Sequence, residues 1–237
     1  MTDAFVITCE HGGNRIPAAY RSLFREQRAL LDSHCGYDPG ALVMAEALAQ
    51  AFKAPLVTST VSRLLVDLNR SMGHPRCFSP ETRRLPAELR ARIAEQHYQP
   101  YRTQVERLVG QSVRRGRRVI HISSHSFTPE LHGKVRIADV GLLYDPHRHG
   151  ETALCALWKA SLAVCAPNLR VRRNYPYAGK GDGLTSYLRL RFPPTVYVGI
   201  ELEVNQAIVF TADRRWRALR GALIASLRAA CSVSTSQ

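Results

Sequence analysis

Apolar residues recur along this chain with two different spacings, and the two spacings alternate. Apolar runs rich in β-branched residues predict strands, whereas apolar residues three or four positions apart predict helices with one buried face. The predicted strands are residues 4–8, 55–59, 64–66, 119–126, 135–145, 169–172 and 195–204. The predicted helices are residues 40–53, 87–113, 152–164, 184–191 and 211–230. This alternation predicts an α/β fold: a three-layer sandwich with a mostly parallel or mixed central sheet and helices on both faces.

Three details refine this prediction. Residues 195–204 are apolar on both faces until the end, so we expect a central strand. Pro100 should kink or divide the helix at 87–113, because proline lacks the N–H that a helix interior uses. Residues 72–86 and 174–183 are rich in Gly and Pro, which predicts loops, the second of them lid-like. We expect the tail at 232–237 to fray.

Length and composition favour one soluble domain over residues 1–237. The chain has 237 residues, of which 45% are hydrophobic and 22% charged, and no apolar run approaches the ~20 residues of a membrane span. The first residues lack the pattern of a secretory signal, and the six cysteines form no CxxC pair. We therefore expect a cytoplasmic protein with reduced thiols and no membrane partner.

The net charge of +14 raises the question of nucleic-acid binding, since 33 basic residues stand against 19 acidic ones. Arginines dominate the excess, for example at 83–84, 114–118 and 214–215. No RNA-binding motif with interleaved aromatic residues accompanies them. We therefore regard nucleic acid as an improbable main partner and expect a small anionic substrate, although one such substrate does not account for the whole excess.

Ionisable side chains follow four of the predicted strands, which suggests one shared site. Glu10 and His11 follow the first strand, and Asp67, His125 and Glu203 stand at the ends of three others. The carboxyl ends of strands in an open α/β sheet converge on one crevice. Two imidazoles and an oxygen ligand suit zinc, and a further carboxylate can accept a proton from water. Taken alone, residues 9–14 fit a simple strand-to-loop turn equally well.

Four segments in the same order resemble the N-formylglutamate amidohydrolase family of the zinc-dependent, carboxypeptidase-like exopeptidase superfamily. They are residues 10–17 (EHGGNRIP), 62–71 (SRLLVDLNRS), 125–129 (HSFTP) and 199–206 (GIELEVNQ). The resemblance spans residues 5 to about 206. It implies a carboxypeptidase-like fold.

The resemblance further implies one zinc ion per chain, bound by His11 and His125. Asp67 would hold the free ring nitrogen of His11. Carboxypeptidases place a glutamate three residues after the first histidine, and this chain has Asn14 there, a neutral and therefore poor ligand. Asn14, Glu10 or a water molecule would complete the zinc sphere.

The remaining roles that the resemblance implies concern the substrate and the proton transfers. Glu203 would be the general base and acid. Asn69 and Arg70 would hold the substrate carboxylate, with Arg63 as a second candidate. Tyr177, in the loop at 174–183, would close over the substrate.

We therefore expect a zinc amidohydrolase acting on an N-acylated acidic amino acid such as N-formyl-L-glutamate. Two alternatives stay open at this point. One is a carboxypeptidase or amidase that acts on peptides or cell-wall fragments. The other is a metal-free protein of the same fold that binds anions or nucleic acid. The sequence gives no indication of the oligomeric state.

Overall fold

The computed structural model describes residues 3–211 and 213–234. The strands are β1 Asp3–Cys9, β2 Leu56–Thr58, β3 Arg118–Phe127, β4 Glu130–Leu131, β5 Lys134–Val135, β6 Val140–Leu143, β7 Val171–Arg173 and β8 Tyr197–Asn205. The α-helices are α1 Arg28–Leu31, α2 Ala41–Phe52, α3 Pro80–Arg83, α4 Ala87–Ile93, α5 Gln99–Arg114, α6 His149–Cys165, α7 Leu184–Arg189, α8 Gln206–Val209 and α9 Asp213–Ser234. A 3-10 helix covers Ala18–Phe24.

Within the described residues, six strands form a mixed sheet in the order β2-β1-β3-β8-β6-β7. Strands β2, β1, β3 and β8 are mutually parallel, while β6 runs antiparallel to β8 and parallel to β7. The carboxyl ends of β1, β3 and β8 therefore meet at one edge. In the pairing of β3 with β8, His125 lies opposite Glu203.

Helices cover both faces of this sheet, because neighbouring residues of each buried strand point to opposite sides. Ile7 of β1 packs with α2, α6 and α9 in one apolar cluster. Val6, its neighbour, packs with α4, α5 and α7 in the other. The predicted three-layer α/β fold is confirmed.

The segment at 64–66 was wrongly predicted as a strand and forms a turn. Ser62 organises this turn, since its hydroxyl accepts a hydrogen bond from Leu64 N and its carbonyl accepts one from Leu65 N. Leu65 and Val66 are buried, which explains the apolar run without any strand pairing. Asp67 therefore reaches the site from a loop.

The predicted long helix is divided just before Pro100, as expected. A π-helical turn, Ala94–Tyr98, joins α4 to α5, and Pro100 lies in the first turn of α5. A backbone N–H in the first turn of a helix has no partner within that helix. A proline, which lacks the N–H, is therefore tolerated at this position.

The C-terminal helix is longer than predicted. Helix α9 continues to Ser234, so residues 232–234 are helical rather than frayed. Residues 235–237 and Ala212, which bear on the predicted tail and on the helix start, lie outside the described residues. Among the helices of the described chain, none combines the length and apolar character that crossing a membrane would require.

Candidate functional site

Three of the predicted site residues meet where β1, β3 and β8 end. His11 lies two residues after the end of β1, His125 lies in β3 and Glu203 lies in β8, and all three side chains are buried. The two imidazole rings are 5.1 Å apart between centroids. All three residues line a cavity of about 580 Å³ that opens to solvent. The parallel sheet thus brings together residues that are far apart in sequence.

Asp38 joins this group, and the sequence analysis missed it. Its Oδ2 lies 3.2 Å from His11 Nδ1 and 2.9 Å from His125 Nδ1. The backbone fixes this position, because Asp38 N donates to the carbonyl of His11 and Asp38 O accepts from the N–H of Ala41 at the start of α2. Gly40, with φ of 81°, makes the sharp entry into that helix. The signal in the sequence was an Asp-Pro-Gly segment before a helix, which also suits an ordinary turn.

The second nitrogen of each imidazole faces another carboxylate. His11 Nε2 lies 2.7 Å from Asp67 Oδ1, as the resemblance implied. His125 Nε2 lies 3.1 Å from Glu10 Oε2 and 2.9 Å from the hydroxyl of Ser123. Both Nδ1 atoms are consequently directed toward Asp38.

The donor set fits a divalent metal ion. The ligand atoms of His11, Asp38 and His125 all lie within 4.8 Å of one another, and no second cluster of this kind was found among the described residues. Zinc bonds of ~2.0–2.2 Å in tetrahedral geometry place ligand atoms ~3.3 Å apart, close to the distances that involve Asp38. Burial alone would raise the pKa of Asp38, but the imidazoles of His11 and His125 and the guanidinium of Arg63 together outweigh burial and hold that pKa well below its usual range, so the carboxylate stays ionised.

Asn14 and Glu10, the expected candidates for the third ligand, occupy other places. The side-chain amide of Asn14 donates to Asp32 Oδ1 at 2.8 Å, and Asn14 lines a separate cavity. Glu10 is fully buried behind His125, on the side of Nε2 rather than Nδ1. The structure places Asp38, instead of either residue, between the two Nδ1 atoms.

Glu203 contributes a carboxylate with one free oxygen. Among the described residues, its buried Oε2 has no hydrogen-bond partner. Burial raises the pKa of Glu203 to about 8. Glu201, two residues earlier on the same face of β8, differs in that its Oε1 accepts a hydrogen bond from Thr185. Glu203 therefore has the one carboxylate of this pair that is both buried and open to a new partner.

Arg63, expected as a second group for binding the substrate carboxylate, pairs with two aspartates of the site. Its Nη2 donates to Asp67 Oδ2 at 2.8 Å and its Nη1 donates to Asp38 Oδ1 at 3.3 Å. The guanidinium thereby holds both carboxylates that face the ring nitrogens of His11.

Asn69, Arg70 and Tyr177 line the cavity, as the sequence placed them. Asn69 Oδ1 accepts from the N–H of Leu184, at the start of α7, and its Nδ2 lies 3.4 Å from His125 Nε2. Arg70 Nη1 donates to the carbonyl of Asp182. Tyr177 stands at the rim, 47% exposed. The two loops at 67–71 and 174–183 thus form neighbouring walls of one cavity.

The cavity also has a basic wall. Arg70, Arg76 and Arg83 all line it, and within the described residues none of the three forms an ion pair with a carboxylate. Arg76 and Arg83 come from the segment between residue 72 and the end of α3, which was predicted only as part of a loop. Unpaired guanidinium groups favour an anionic ligand.

Comparisons with known proteins show what the whole chain is similar to. The family model described as N-formylglutamate amidohydrolase matches residues 3–210. The structure of gene product Atu2144 from Agrobacterium tumefaciens is 30% identical, with a TM-score of 0.84, and the match covers 98% of this chain and 92% of that protein. N-formylglutamate amidohydrolase from Ralstonia eutropha JMP134 is 19% identical, with a TM-score of 0.69, over 99% of this chain and 96% of that protein. No curated protein sequence matches the chain significantly.

Proposed function

Because this chain belongs to the N-formylglutamate amidohydrolase family, a family of amide hydrolases, we propose that it hydrolyses an N-acylated acidic amino acid such as N-formyl-L-glutamate, with zinc as its metal. One observation carries this proposal. The potential ligand atoms of His11, Asp38 and His125 converge in a cavity that is also lined by Glu203, which lies opposite His125 in the sheet and has a free buried oxygen.

His11, Asp38 and His125 would hold the metal, since two imidazoles and one carboxylate are a ligand set of catalytic zinc sites. Zinc, when bound, polarises the amide carbonyl and lowers the pKa of a water molecule. The protein supports this centre through Arg63, which pairs with Asp38 and Asp67 and so keeps both carboxylates in place.

Glu203 would carry the proton through the reaction. Its free Oε2 accepts the proton of the attacking water and then gives it to the leaving amine. Burial raises its pKa to about 8, so the carboxyl group can both accept and release a proton near neutral pH. No other carboxylate in the described part of the cavity combines burial with an unpartnered oxygen.

The substrate's carboxylates would lie on the basic side of the cavity. Asn69 and Arg70 would bind the α-carboxylate, since Arg70 uses only Nη1 on the carbonyl of Asp182. Arg76 and Arg83, which have no carboxylate partner among the described residues, would bind the acidic side chain of the substrate. Tyr177 would cover the bound molecule from the rim.

The test is formate release from N-formyl-L-glutamate by the zinc-loaded protein. Replacing Glu203 by Gln keeps the size of the side chain and removes the base, so we expect kcat to fall about 100- to 10,000-fold. Glu106→Gln is the matched control. The Glu106 carboxylate accepts hydrogen bonds from Tyr187 and Arg191 away from the cavity, so this substitution should leave the rate unchanged. Hydrolysis by the Glu203→Gln variant at the wild-type rate would show the assignment to be wrong.

Two further measurements separate the alternatives. Release of amino acids from a panel of peptides, without formate release from formylglutamate, would indicate a peptidase instead. Metal analysis of the purified protein tests the metal-free alternative: we expect about one zinc ion per chain, and a chain that binds none at micromolar zinc would favour an anion-binding protein.

A further inference from the structure

Glu10 forms a buried hydrogen-bonded group directly behind His125. It is fully buried, and each of its two carboxylate oxygens has a partner. Oε1 accepts a hydrogen bond from the hydroxyl of Tyr101 at 2.8 Å, and Oε2 accepts one from the hydroxyl of Ser123 at 2.6 Å. Oε2 also lies 3.1 Å from His125 Nε2. A carboxylate that has lost all contact with water needs such partners to remain ionised.

Two kinds of group face the Glu10 carboxylate. Tyr101 and Ser123 donate hydrogen bonds from neutral hydroxyl groups, whereas Nε2 of His125 lies 3.1 Å from Oε2. The Ser123 hydroxyl also lies 2.9 Å from the same Nε2 and so links the carboxylate to the ring. His125 is therefore the site residue on which Glu10 can act.

Glu10 faces His125 in the same way as Asp67 faces His11. In each case a buried carboxylate faces Nε2 and Nδ1 points to Asp38. A carboxylate at Nε2 fixes the tautomer and the ring orientation and makes the opposite nitrogen a better ligand. Because Glu10 and His11 are consecutive, this dipeptide supplies one ligand and also the partner of the other ligand.

We propose that Glu10 is a positioning residue: it keeps the proton of His125 on Nε2 and so presents Nδ1 to the metal ion. This inference rests on the proposed metal site, although it does not depend on which amide is hydrolysed. It replaces the expectation that Glu10 itself coordinates the ion. Glu10 never touches the substrate in this role, because it lies beneath His125 and not along the cavity.

The test is zinc affinity, measured by competition with a chromophoric chelator in the absence of substrate. Glu10→Gln keeps the shape and can still pair with both hydroxyl groups, but it removes the negative charge that faces the ring N–H. We expect its zinc dissociation constant to rise about 10- to 100-fold. Tyr101→Phe is the matched variant: it removes a hydrogen bond from the same group, leaves the carboxylate on His125, and should shift zinc affinity far less.

Thermal unfolding of the metal-free variants separates positioning from simple support of the fold. The inference predicts similar melting temperatures for Glu10→Gln and Tyr101→Phe with very different zinc affinities. Equal zinc affinities for Glu10→Gln and the wild type would overturn it. Failure of the wild type to bind zinc would instead contradict the proposed function.

Nitrogen NMR of histidine-labelled, zinc-loaded wild type gives a second test that does not require the variant to fold. We expect His125 to show a protonated Nε2 and a metal-coordinated Nδ1. A protonated Nδ1 with coordination through Nε2 would refute the inference, since Glu10 would then face the metal side of the ring.

Discussion

His121 gives a prediction about stability that can be worked out in numbers. This side chain is fully buried beneath the site. Its Nε2 lies 2.9 Å from the hydroxyl of Thr8 and its Nδ1 lies 2.7 Å from the hydroxyl of Tyr197. Neither partner carries a charge that would stabilise an imidazolium. Burial therefore lowers the pKa of His121 from 6.5 to about 4.

The sign of the pH effect follows from these two values. The unfolded chain takes up a proton at His121 near pH 6.5, whereas the folded chain does so only near pH 4. His121 thus lowers the free energy of unfolding as the pH falls through this window, and it has no effect above about pH 7.5. At ~1.4 kcal/mol per pKa unit, the loss is about 2 kcal/mol at pH 5 and about 3 kcal/mol once the folded state also titrates.

The assay is urea unfolding of the metal-stripped protein at pH 7.5 and pH 5, with His121→Gln as the comparison. Glutamine is neutral at both pH values and can still exchange hydrogen bonds with Thr8 and Tyr197. We expect the wild type to lose about 2 kcal/mol more than the variant between the two pH values. The other titrating groups of the site are common to both proteins and cancel. Equal losses in the two proteins would refute the reasoning.

Three further predictions concern the site and its frame. Asp38→Asn should weaken zinc binding at least about 10-fold, while Asn14→Ala leaves it unchanged; equal affinities in chelator competition would contradict the ligand assignment. Arg83→Gln should lower kcat/KM for N-formylglutamate about 10-fold or more but not that for N-formylleucine, and an unchanged ratio would remove Arg83 from substrate selection. A Cβ at Gly141 would overlap the carbonyl oxygen of Tyr175, so Gly141→Ala should lower the urea midpoint strongly. Gly221 in α9 has open space around it, so Gly221→Ala should raise the midpoint slightly, and equal midpoints for the two variants would contradict this.

The strand residues of the site could be predicted from the sequence, and the loop residue could not. His11 and His125 follow or occupy long apolar runs, and such runs pair in parallel, which brings their ends together. Asp38 has no such run before it, and its place depends on a backbone hydrogen bond to His11, a contact between two segments that no local pattern encodes. The sequence suggested Asn14, three residues after His11, only through the resemblance to carboxypeptidases.

The strand wrongly predicted at 64–66 shows that a local sequence pattern is also insufficient for assigning secondary structure. An apolar run reports burial, and burial alone does not distinguish a paired strand from a turn packed beneath a helix. Ser62 decided the outcome through hydrogen bonds to the following backbone.

The site residues lie partly in or next to the central strands and partly in the segments that form the cavity walls, and the two parts should differ in mobility. His125 and Glu203 lie in adjacent central strands and His11 follows a third, so we expect the amides of these strands to exchange slowly with solvent. The walls at 71–83 and 174–183 lie outside the sheet and consist mostly of loop, with the short helix α3 in the first, so we expect their amides to exchange faster. Amide hydrogen exchange should therefore be slow in the strands that carry the site and faster in the two wall segments. Under the proposed function, we expect replacement of those segments to change which acyl amino acid is hydrolysed and to leave the metal ligands in place.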